Sequence, residues 1–290
     1  MALFSAILNF LWGLIATPVS IRLSQTFRLM DVPGGRKKHG AVTPRGAGIV
    51  LWTGYLLWAL VNPNTGVEVP YVATGATLVF LVGYMDDMHS LPPLRRLAVH
   101  ILMAAWVIKP LPVPMYQRAL LLLWIAGCTN AYNFVDGMDG LALSISFATS
   151  FLAYRGGNPY TWLPFCGLIA GVLLWNFPRA RTFLGDGGAT LLGYVCSSHL
   201  AWDVYPRFFG MNAAVMVIVL LLIGGVPVVD TIAVMMRRML KGQSPFHPDR
   251  RHAHHLLLDI HLLKWQVLCL LVAVHAALVR AGYYVLSYCQ

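Results

Sequence analysis

Long apolar runs, separated by short polar segments, recur along the whole sequence. After an apolar start over residues 1–21, further runs cover roughly residues 46–62, 70–85, 97–108, 115–132, 138–154, 160–176, 187–202, 209–236 and 265–288. Runs of this kind are typical of helices that cross a bilayer, the shorter ones being tilted or packed inside a bundle. The pattern therefore predicts an all-α polytopic membrane protein with about ten transmembrane helices, folded as a single domain over residues 1–290.

The composition supports this prediction and excludes an ordinary soluble protein. Hydrophobic residues make up 58% of the chain, charged residues only 11%, and the mean hydropathy is +0.66. No Lys or Arg precedes Arg22, so the apolar start lacks the positive segment of a cleaved signal peptide and is expected to remain as the first spanning helix. Pro227 predicts a kink in the ninth run. Asp230, in the same run, either bonds the carbonyls freed by that kink or serves the function.

The basic residues are distributed unevenly between alternate loops, and this sets the predicted orientation. Of the 21 Lys and Arg residues, sixteen fall on one side of the predicted bundle and five on the other. Positive residues collect in cytoplasmic loops, so the first side is expected to face the cytoplasm and both termini the outside. The formal net charge of +10 is explained in this way and does not indicate a nucleic-acid partner.

Nearly all acidic residues share the basic, cytoplasmic side, at the ends of predicted helices. The opposite side holds only Glu68 and Asp203. Ionisable residues at a membrane edge are costly and mark function by default. The segregation of the acids therefore predicts an active site on the cytoplasmic face.

Two adjacent carboxylates, Asp86 and Asp87, end the third predicted helix. Neighbouring negative charges next to hydrocarbon repel each other and are costly to desolvate, so a metal ion, or a proton accepted by one of them, would stabilise the pair. The structural alternative is a solvated helix end or a salt bridge to Arg95 or Arg96. We favour a functional role for the pair.

A second polar group, formed by Asn133, Asp136 and Asp139, follows the fifth apolar run together with Gly137 and Gly140. If this stretch is helical, its polar residues recur every three positions and lie along one side of the helix. They could hold Mg²⁺, which prefers oxygen ligands, or hydrogen-bond a nucleobase. The structural alternative is that the acids cap the sixth helix.

Two further segments carry residues suited to phosphate or cation binding. In Gly185-Asp186-Gly187-Gly188 the glycine amides can point at a phosphate and the acid can hold a cation, although the same residues also form ordinary turns. The second segment is residues 248–255, Pro-Asp-Arg-Arg-His-Ala-His-His. Its arginines disfavour zinc and favour a diphosphate clamp, with lipid headgroups as the alternative ligand.

Taken in order, these motifs resemble one family, the polyprenyl-phosphate N-acetylhexosamine-1-phosphate transferases, which is glycosyltransferase family 4 and includes the WecA and MraY types. The matching segments run through nearly the whole chain: 31–33, 36–39, 43–44, 86–87, 130–140, 183–186, 227–231 and 248–255. Each segment is modest alone, but the ordered set is specific, and the last one resembles the WecA-type branch. Arg45 departs from the pattern, because relatives tend to carry an uncharged residue there.

The resemblance implies a role for each matched polar residue. Asp186 would hold Mg²⁺, or Mn²⁺ in its place, with help from Asn133, and Asp136 and Asp139 would lie near the uridine of the donor. The remaining residues would bind the nucleotide or the substrate phosphates: Lys38, Thr43, Arg250, His252, His254 and His255.

The resemblance also implies the reaction. The enzyme would transfer an N-acetylhexosamine 1-phosphate from a UDP-N-acetylhexosamine to undecaprenyl or another polyprenyl phosphate, with release of UMP. Among these groups, N-acetylglucosamine 1-phosphate is the one expected. Asp86 and Asp87 would deprotonate or position the lipid phosphate, and the choice of the base within this pair is left open.

The implied setting is the bacterial inner membrane, where a multi-pass protein in contact with membrane lipids would start a cell-surface polysaccharide such as O-antigen. A homodimer is left open. The alternative function is a transporter or flippase of lipid-linked or phosphorylated solutes. Such a carrier would place ionisable residues near the bilayer midplane and often show a repeated half, and neither feature is visible in the sequence.

Overall fold

A computed structural model describes residues 1–31, 42–62, 66–244 and 252–288 of the chain. Two short strands, β1 (Met30–Asp31) and β2 (Thr43–Pro44), pair antiparallel. The α-helices of the described part are α1 (Ala2–Thr26), α2 (Ala47–Val61), α3 (Val69–His89), α4 (Pro93–Ile108), α5 (Met115–Val135), α6 (Leu141–Ala153), α7 (Pro159–Asn176), α8 (Gly185–Val204), α9 (Ala213–Leu240), α10 (Ala253–Asp259) and α11 (Lys264–Tyr288), and a short 3₁₀-helix, Tyr205–Phe208, follows α8. Lys38 and Arg250, both predicted site residues, lie outside the described ranges.

Every predicted apolar run overlaps one long helix, which confirms the helical fold class. The pattern does not predict α10, because its first three residues belong to the histidine segment and the three leucines that follow are too short an apolar run. Four helices, α1, α3, α9 and α11, are long and apolar enough to cross a membrane by length and composition. The chain is thus a helical membrane protein, while the total of about ten spans and the orientation of the termini remain predictions.

In α1 most of the large apolar side chains are exposed, and the buried residues are small or polar. Large apolar residues such as Leu3, Phe4 and Ile15 are more than half exposed. The buried positions of the helix are small or polar instead: Ala6, Asn9, Gly13, Thr17, Ser20 and Ser24. Helices in lipid pack through small residues and keep large apolar side chains outside. This arrangement therefore fits a bundle surrounded by lipid.

α8 is the central helix, and its first turn carries Asp186. It is buried along nearly its whole length, packed against α2, α3, α5 and α6. Near its start it approaches α3 so closely that a Cβ added to Gly83 would lie 2.6 Å from the Cα of Gly187. Glycine is needed at this crossing because it allows the end of α3, with Asp86 and Asp87, to lie against the start of α8.

The kink predicted in the ninth apolar run is confirmed, and its centre is Gly225, where the backbone of α9 is non-helical (φ 61°, ψ −151°). Pro227 follows within the same helix. The amide of Val226 donates a hydrogen bond to Nδ1 of His275 on α11 at 3.2 Å, so it stays satisfied despite the kink. The interpretation that Asp230 bonds the freed carbonyls is wrong, because its carboxylate accepts hydrogen bonds from the start of α10.

Candidate active site

A cavity of about 650 Å³ opens at one end of the bundle, where α3, α5 and α7 end and α8 and α11 begin. Six aspartates line it, against two Lys or Arg residues within the described part of the chain. The aspartates are Asp31, Asp87, Asp136, Asp139, Asp186 and Asp259, and the basic residues are Arg45 and Lys264. Such an excess of carboxylates suits a cavity that binds cations, including a cation that accompanies a phosphate.

The cavity brings together residues that the motifs predict from distant parts of the chain. Those on its wall are Asp87, Asn133, Asp136, Asp139, Asp186 and His255. The other predicted residues within the described ranges are not on the wall: Thr43, Asp86, His252 and His254. Thr43 lies in β2, opposite Asp31 of β1, and is buried.

Asn133, Asp136 and Asp139 do not lie along one side of a helix, because the segment 133–139 is helical only at its start. α5 ends one residue before Asp136, which is its C-cap, and Asp139 lies in the turn that leads to α6. Nor do the acids cap α6, because its N-cap is Gly140 (φ 76°), without a side-chain cap. The Gly140 amide instead donates to Oδ1 of Asn176 at 2.7 Å. A turn, not helical spacing, brings the two aspartates to the cavity.

Asp136 and Asp139 have different surroundings in that turn. Oδ2 of Asp139 accepts a hydrogen bond from Nζ of Lys264, the first residue of α11, at 3.0 Å. Removal from bulk water raises the pKa of Asp136 well above its usual range, and the negative charges of Asp186, Asp87 and Asp139 raise it further. A carboxyl with a raised pKa takes up a proton more readily and can then donate a hydrogen bond into the cavity.

Asp87 is held through both of its carboxylate oxygens. Oδ1 accepts a hydrogen bond from Nη1 of Arg45 at 3.0 Å, and Oδ2 accepts one from the amide of Gly187 at 3.2 Å. Nη2 of Arg45 donates to Oδ1 of Asp31 at 2.5 Å, so the guanidinium bridges two acids of the cavity wall. The Asp87 carboxylate therefore has a fixed orientation beside the start of α8.

Asp86 is held by other partners. Its oxygens accept hydrogen bonds from the amide of Leu91 and from Nη1 of Arg96. The same Nη1 lies 2.6 Å from Oδ2 of Asp186, so Arg96 links the end of α3 to the start of α8. The salt bridge to Arg96 that the sequence leaves as the structural alternative is therefore present. Positive charge from arginine stabilises both members of the acidic pair.

His252 and His254 lie at the start of α10. Nδ1 of His252 is 2.7 Å from Oδ2 of Asp230, and its ring stacks on Phe134 of α5. His254 is almost fully buried, and this burial, reinforced by the neighbouring histidines His255 and His252, lowers the pKa of its imidazole to about 3. His254 is therefore neutral at physiological pH, and a phosphate contact from it stays a prediction.

The two residues predicted to hold a metal ion fit Mg²⁺ by the chemistry of their donor atoms. The side chain of Asp186 is 34% exposed, Asn133 lies on the wall of the same cavity, and both offer oxygen donors. Among the described residues, no group of three or more His, Cys, Asp or Glu side chains could hold a metal. Mg²⁺ commonly takes one or two protein carboxylates and completes its shell with water and phosphate. Asp186 and Asn133 are therefore sufficient as protein ligands if a substrate diphosphate and water supply the other oxygen atoms around the ion.

Several residues of the cavity wall carry no role in the motif-based prediction: Asp31, Arg45, Asn176, Asp259 and Lys264. Asp31 belongs to a matched segment without an assigned role, and Arg45 is only a departure from the pattern. The available signal was a charged residue next to a predicted helix start, at Arg45 and again at Lys264. That signal is weak, because positive residues are common in cytoplasmic loops.

The chain is similar to known proteins over most of its length. A model of the family described as Glycosyl transferase family 4 matches residues 69–202. An undecaprenyl-phosphate alpha-N-acetylglucosaminyl 1-phosphate transferase of Yersinia pestis is 31% identical, over 92% of this chain and 79% of the relative. Proteins of the same name are 28% identical in Thermotoga maritima (93% and 85% covered) and 29% identical in Escherichia coli strain K12 (90% and 77% covered).

Proposed function

The chain belongs to glycosyl transferase family 4, here the polyprenyl-phosphate N-acetylhexosamine-1-phosphate transferases, and from this membership we propose its reaction. It transfers N-acetylglucosamine 1-phosphate from UDP-N-acetylglucosamine to undecaprenyl phosphate and releases UMP. The relatives' names give this acceptor and this transferred group. The observation that carries the proposal is the cavity in which Asp87, Asn133 and Asp186 meet from three helices.

The reaction joins two negatively charged partners, so the site must supply positive charge and hold the reacting groups in line. Arg45 and Lys264 supply positive charge from the cavity wall. Mg²⁺, or Mn²⁺ in its place, held by Asp186 and Asn133, would polarise the diphosphate and stabilise the charge on the leaving UMP. The six aspartates of the wall would favour the binding of a divalent cation together with the diphosphate over the binding of a free anion.

We assign the lipid phosphate to Asp87, not to Asp86. Asp87 lies on the cavity wall, whereas Asp86 is bound to the Leu91 amide and to Arg96. A phosphate monoester has a second pKa of about 6, so little proton remains to be removed at neutral pH. The main role of Asp87 is therefore to position the attacking phosphate, and Asp86 positions Arg96.

The nucleotide is assigned to the turn between α5 and α6. Asp136 and Asp139 lie there on the cavity wall, and His255 of α10 also lines the cavity. Lys38, Thr43 and Arg250 keep their predicted roles in substrate binding. We further propose that this end of the bundle faces the cytoplasm of a bacterial inner membrane, because the cavity wall carries Arg45 and Lys264, which belong to the more basic side of the sequence. The product would start a cell-surface polysaccharide such as O-antigen.

The proposed function is tested with purified protein, a panel of UDP-sugars and undecaprenyl phosphate, with UMP as the readout. We expect UMP release with UDP-N-acetylglucosamine, and none when the lipid phosphate or the divalent cation is omitted. A transporter or flippase would instead move a solute or lipid across proteoliposomes without forming UMP. Transport without UMP would overturn the proposal in favour of that alternative.

Gly185→Ala is expected to remove most of the activity. Gly185 has a φ of 69°, and a Cβ at this position would lie 2.4 Å from Oδ2 of Asp87. The backbone conformation alone costs a residue with a Cβ about 1–2 kcal/mol, and the clash displaces the Asp87 carboxylate as well. UMP release and the melting temperature are measured together.

Gly210→Ala is the matched control for this change. Gly210 has a φ of 76°, but no atom lies within 4 Å of its added Cβ. It should therefore lose similar stability while keeping its activity. Equal activity in the two variants would show that displacement of the Asp87 carboxylate by the added Cβ does not impair the reaction.

Arg45→Lys is expected to lower kcat/KM by about 100-fold, because a small misplacement of a positioning group has an effect of this size. Lysine keeps the charge but lacks the planar fork that bridges Asp31 and Asp87. Steady-state kinetics of UMP release measure the loss. Arg118→Lys is the control, since Arg118 also makes several hydrogen bonds, to the carbonyls of Ile108 and Leu111, at the other end of the bundle. Equal effects of the two changes would exclude a specific role for Arg45.

A further inference from the structure

Asp230 and His252 form a buried pair next to the cavity. Oδ2 of Asp230 lies 2.7 Å from Nδ1 of His252, and both side chains are 8% exposed. The other oxygen, Oδ1, accepts a hydrogen bond from the amide of Ala253 at 2.9 Å. One carboxylate on α9 therefore holds both the imidazole and the first amide of α10.

The tautomer of His252 follows from these contacts. The Asp230 carboxylate already accepts the Ala253 amide, and we assign the N–H of its second hydrogen bond to Nδ1 of His252, with Oδ2 of Asp230 as the acceptor. A carboxylate that binds one ring nitrogen of a histidine fixes the tautomer and directs the other nitrogen to its ligand. In His252 that other nitrogen is Nε2.

The ring of His252 is also confined on its faces. Its centroid lies 5.6 Å from that of Phe134 and 6.1 Å from that of His254, and both pairs are stacked. These two rings confine the plane of the His252 ring, and Asp230 fixes its rotation. Each of the two stacking residues is the direct sequence neighbour of a residue on the cavity wall: Phe134 of Asn133, and His254 of His255.

We propose that Asp230 is a positioning residue for the donor, which directs Nε2 of His252 towards a phosphate oxygen of the UDP-sugar. In the complex with the donor, Nδ1 donates to Asp230 and Nε2 donates to the phosphate oxygen. This inference rests on the proposed function and adds a residue to which the family resemblance assigns no role.

Asp230→Asn tests the proposal with little change in volume. In Asp230 the two oxygens have different partners, the His252 ring and the Ala253 amide; asparagine replaces one of these oxygens by an NH2 group, which would face an N–H donor. We expect kcat/KM for UDP-N-acetylglucosamine to fall about 10- to 100-fold, as is typical when a supporting carboxylate is lost. The loss should come from a higher KM for the donor, with the KM for undecaprenyl phosphate unchanged.

A double-mutant cycle with His252→Ala separates positioning from a merely structural role. If Asp230 acts through His252, Asp230→Asn has no further effect on donor KM once the imidazole is absent. A residue that only supports α10 would lower activity by the same factor in both backgrounds, and this additive result would overturn the proposal.

Asp203→Asn is the matched control, because Asp203 also accepts a hydrogen bond from a ring N–H, that of Trp162 at 2.6 Å, but lies at the far end of α8. Its donor KM should equal that of the unmodified protein. An active protein whose Asp230→Asn variant keeps the same donor KM would overturn this inference alone. A protein that forms no UMP at all would overturn the proposed function and the inference with it.

Discussion

Asp186→Asn is expected to reduce UMP release by roughly 10²- to 10³-fold, because charge stabilisation by a bound metal ion contributes several kcal/mol to such a reaction. Asp186 is in the first turn of the central helix α8, on the wall of the cavity, and within hydrogen-bond distance of Arg96. Asparagine keeps the size of the side chain but removes the negative charge that attracts a divalent cation.

A titration with Mg²⁺ distinguishes two reasons for this loss. If Asp186 holds the ion, the Mg²⁺ concentration for half-maximal activity rises and excess Mg²⁺ restores part of the rate. If Asp186 only anchors Arg96, the rate falls at an unchanged Mg²⁺ requirement, and the metal assignment is wrong. Glu68→Gln is the control, since Glu68 is an acid that precedes the opposite end of α3.

The second large effect is expected from Asp87→Asn, with a loss of about 10²- to 10³-fold in kcat, whereas Asp86→Asn should lose about tenfold. Asp87 faces the cavity, and both of its oxygens are fixed, by Arg45 and by the Gly187 amide. Asparagine must turn an NH2 group towards one of these donors, so the side chain to which we assign the positioning of the lipid phosphate is displaced.

Asp86→Asn removes charge from a carboxylate that is bound to the Leu91 amide and to Arg96 and does not line the cavity, so it should affect stability more than rate. Kinetics with varied undecaprenyl phosphate and thermal unfolding of both variants measure the two effects. Equal losses of rate in Asp86→Asn and Asp87→Asn would contradict the separate roles of the pair.

The helices were predictable because lipid-facing and buried helices are both apolar, so each run of apolar residues corresponds to one helix. The end of α5 was not predictable in the same way. Asn133, Asp136 and Asp139 have a spacing that fits a helix, but the turn at Gly137 and Gly140 interrupts it. The residue types of the site were predictable from composition and spacing, but the directions of their side chains depend on the turn that follows α5.

The acids of the site were predictable as a group, because the distribution of basic residues already assigned them to one side of the membrane. Their partners were not. Arg45 meets Asp87 across 42 residues, and His252 meets Asp230 across 22 residues. Such pairs depend on how α2, α3, α9 and α10 pack, and no periodicity in the sequence encodes that packing.

In the proposed reaction, this cavity moves a phosphosugar from a nucleotide to a lipid. The most direct test uses UDP-N-acetylglucosamine labelled at its β-phosphate, with undecaprenyl phosphate as the acceptor and purified protein. We expect the label to pass to the lipid as a diphosphate-linked sugar, in an amount equal to the unlabelled UMP released. Labelled UDP together with an unlabelled glycolipid would contradict it, because the bond broken would then be the one between the sugar and its phosphate.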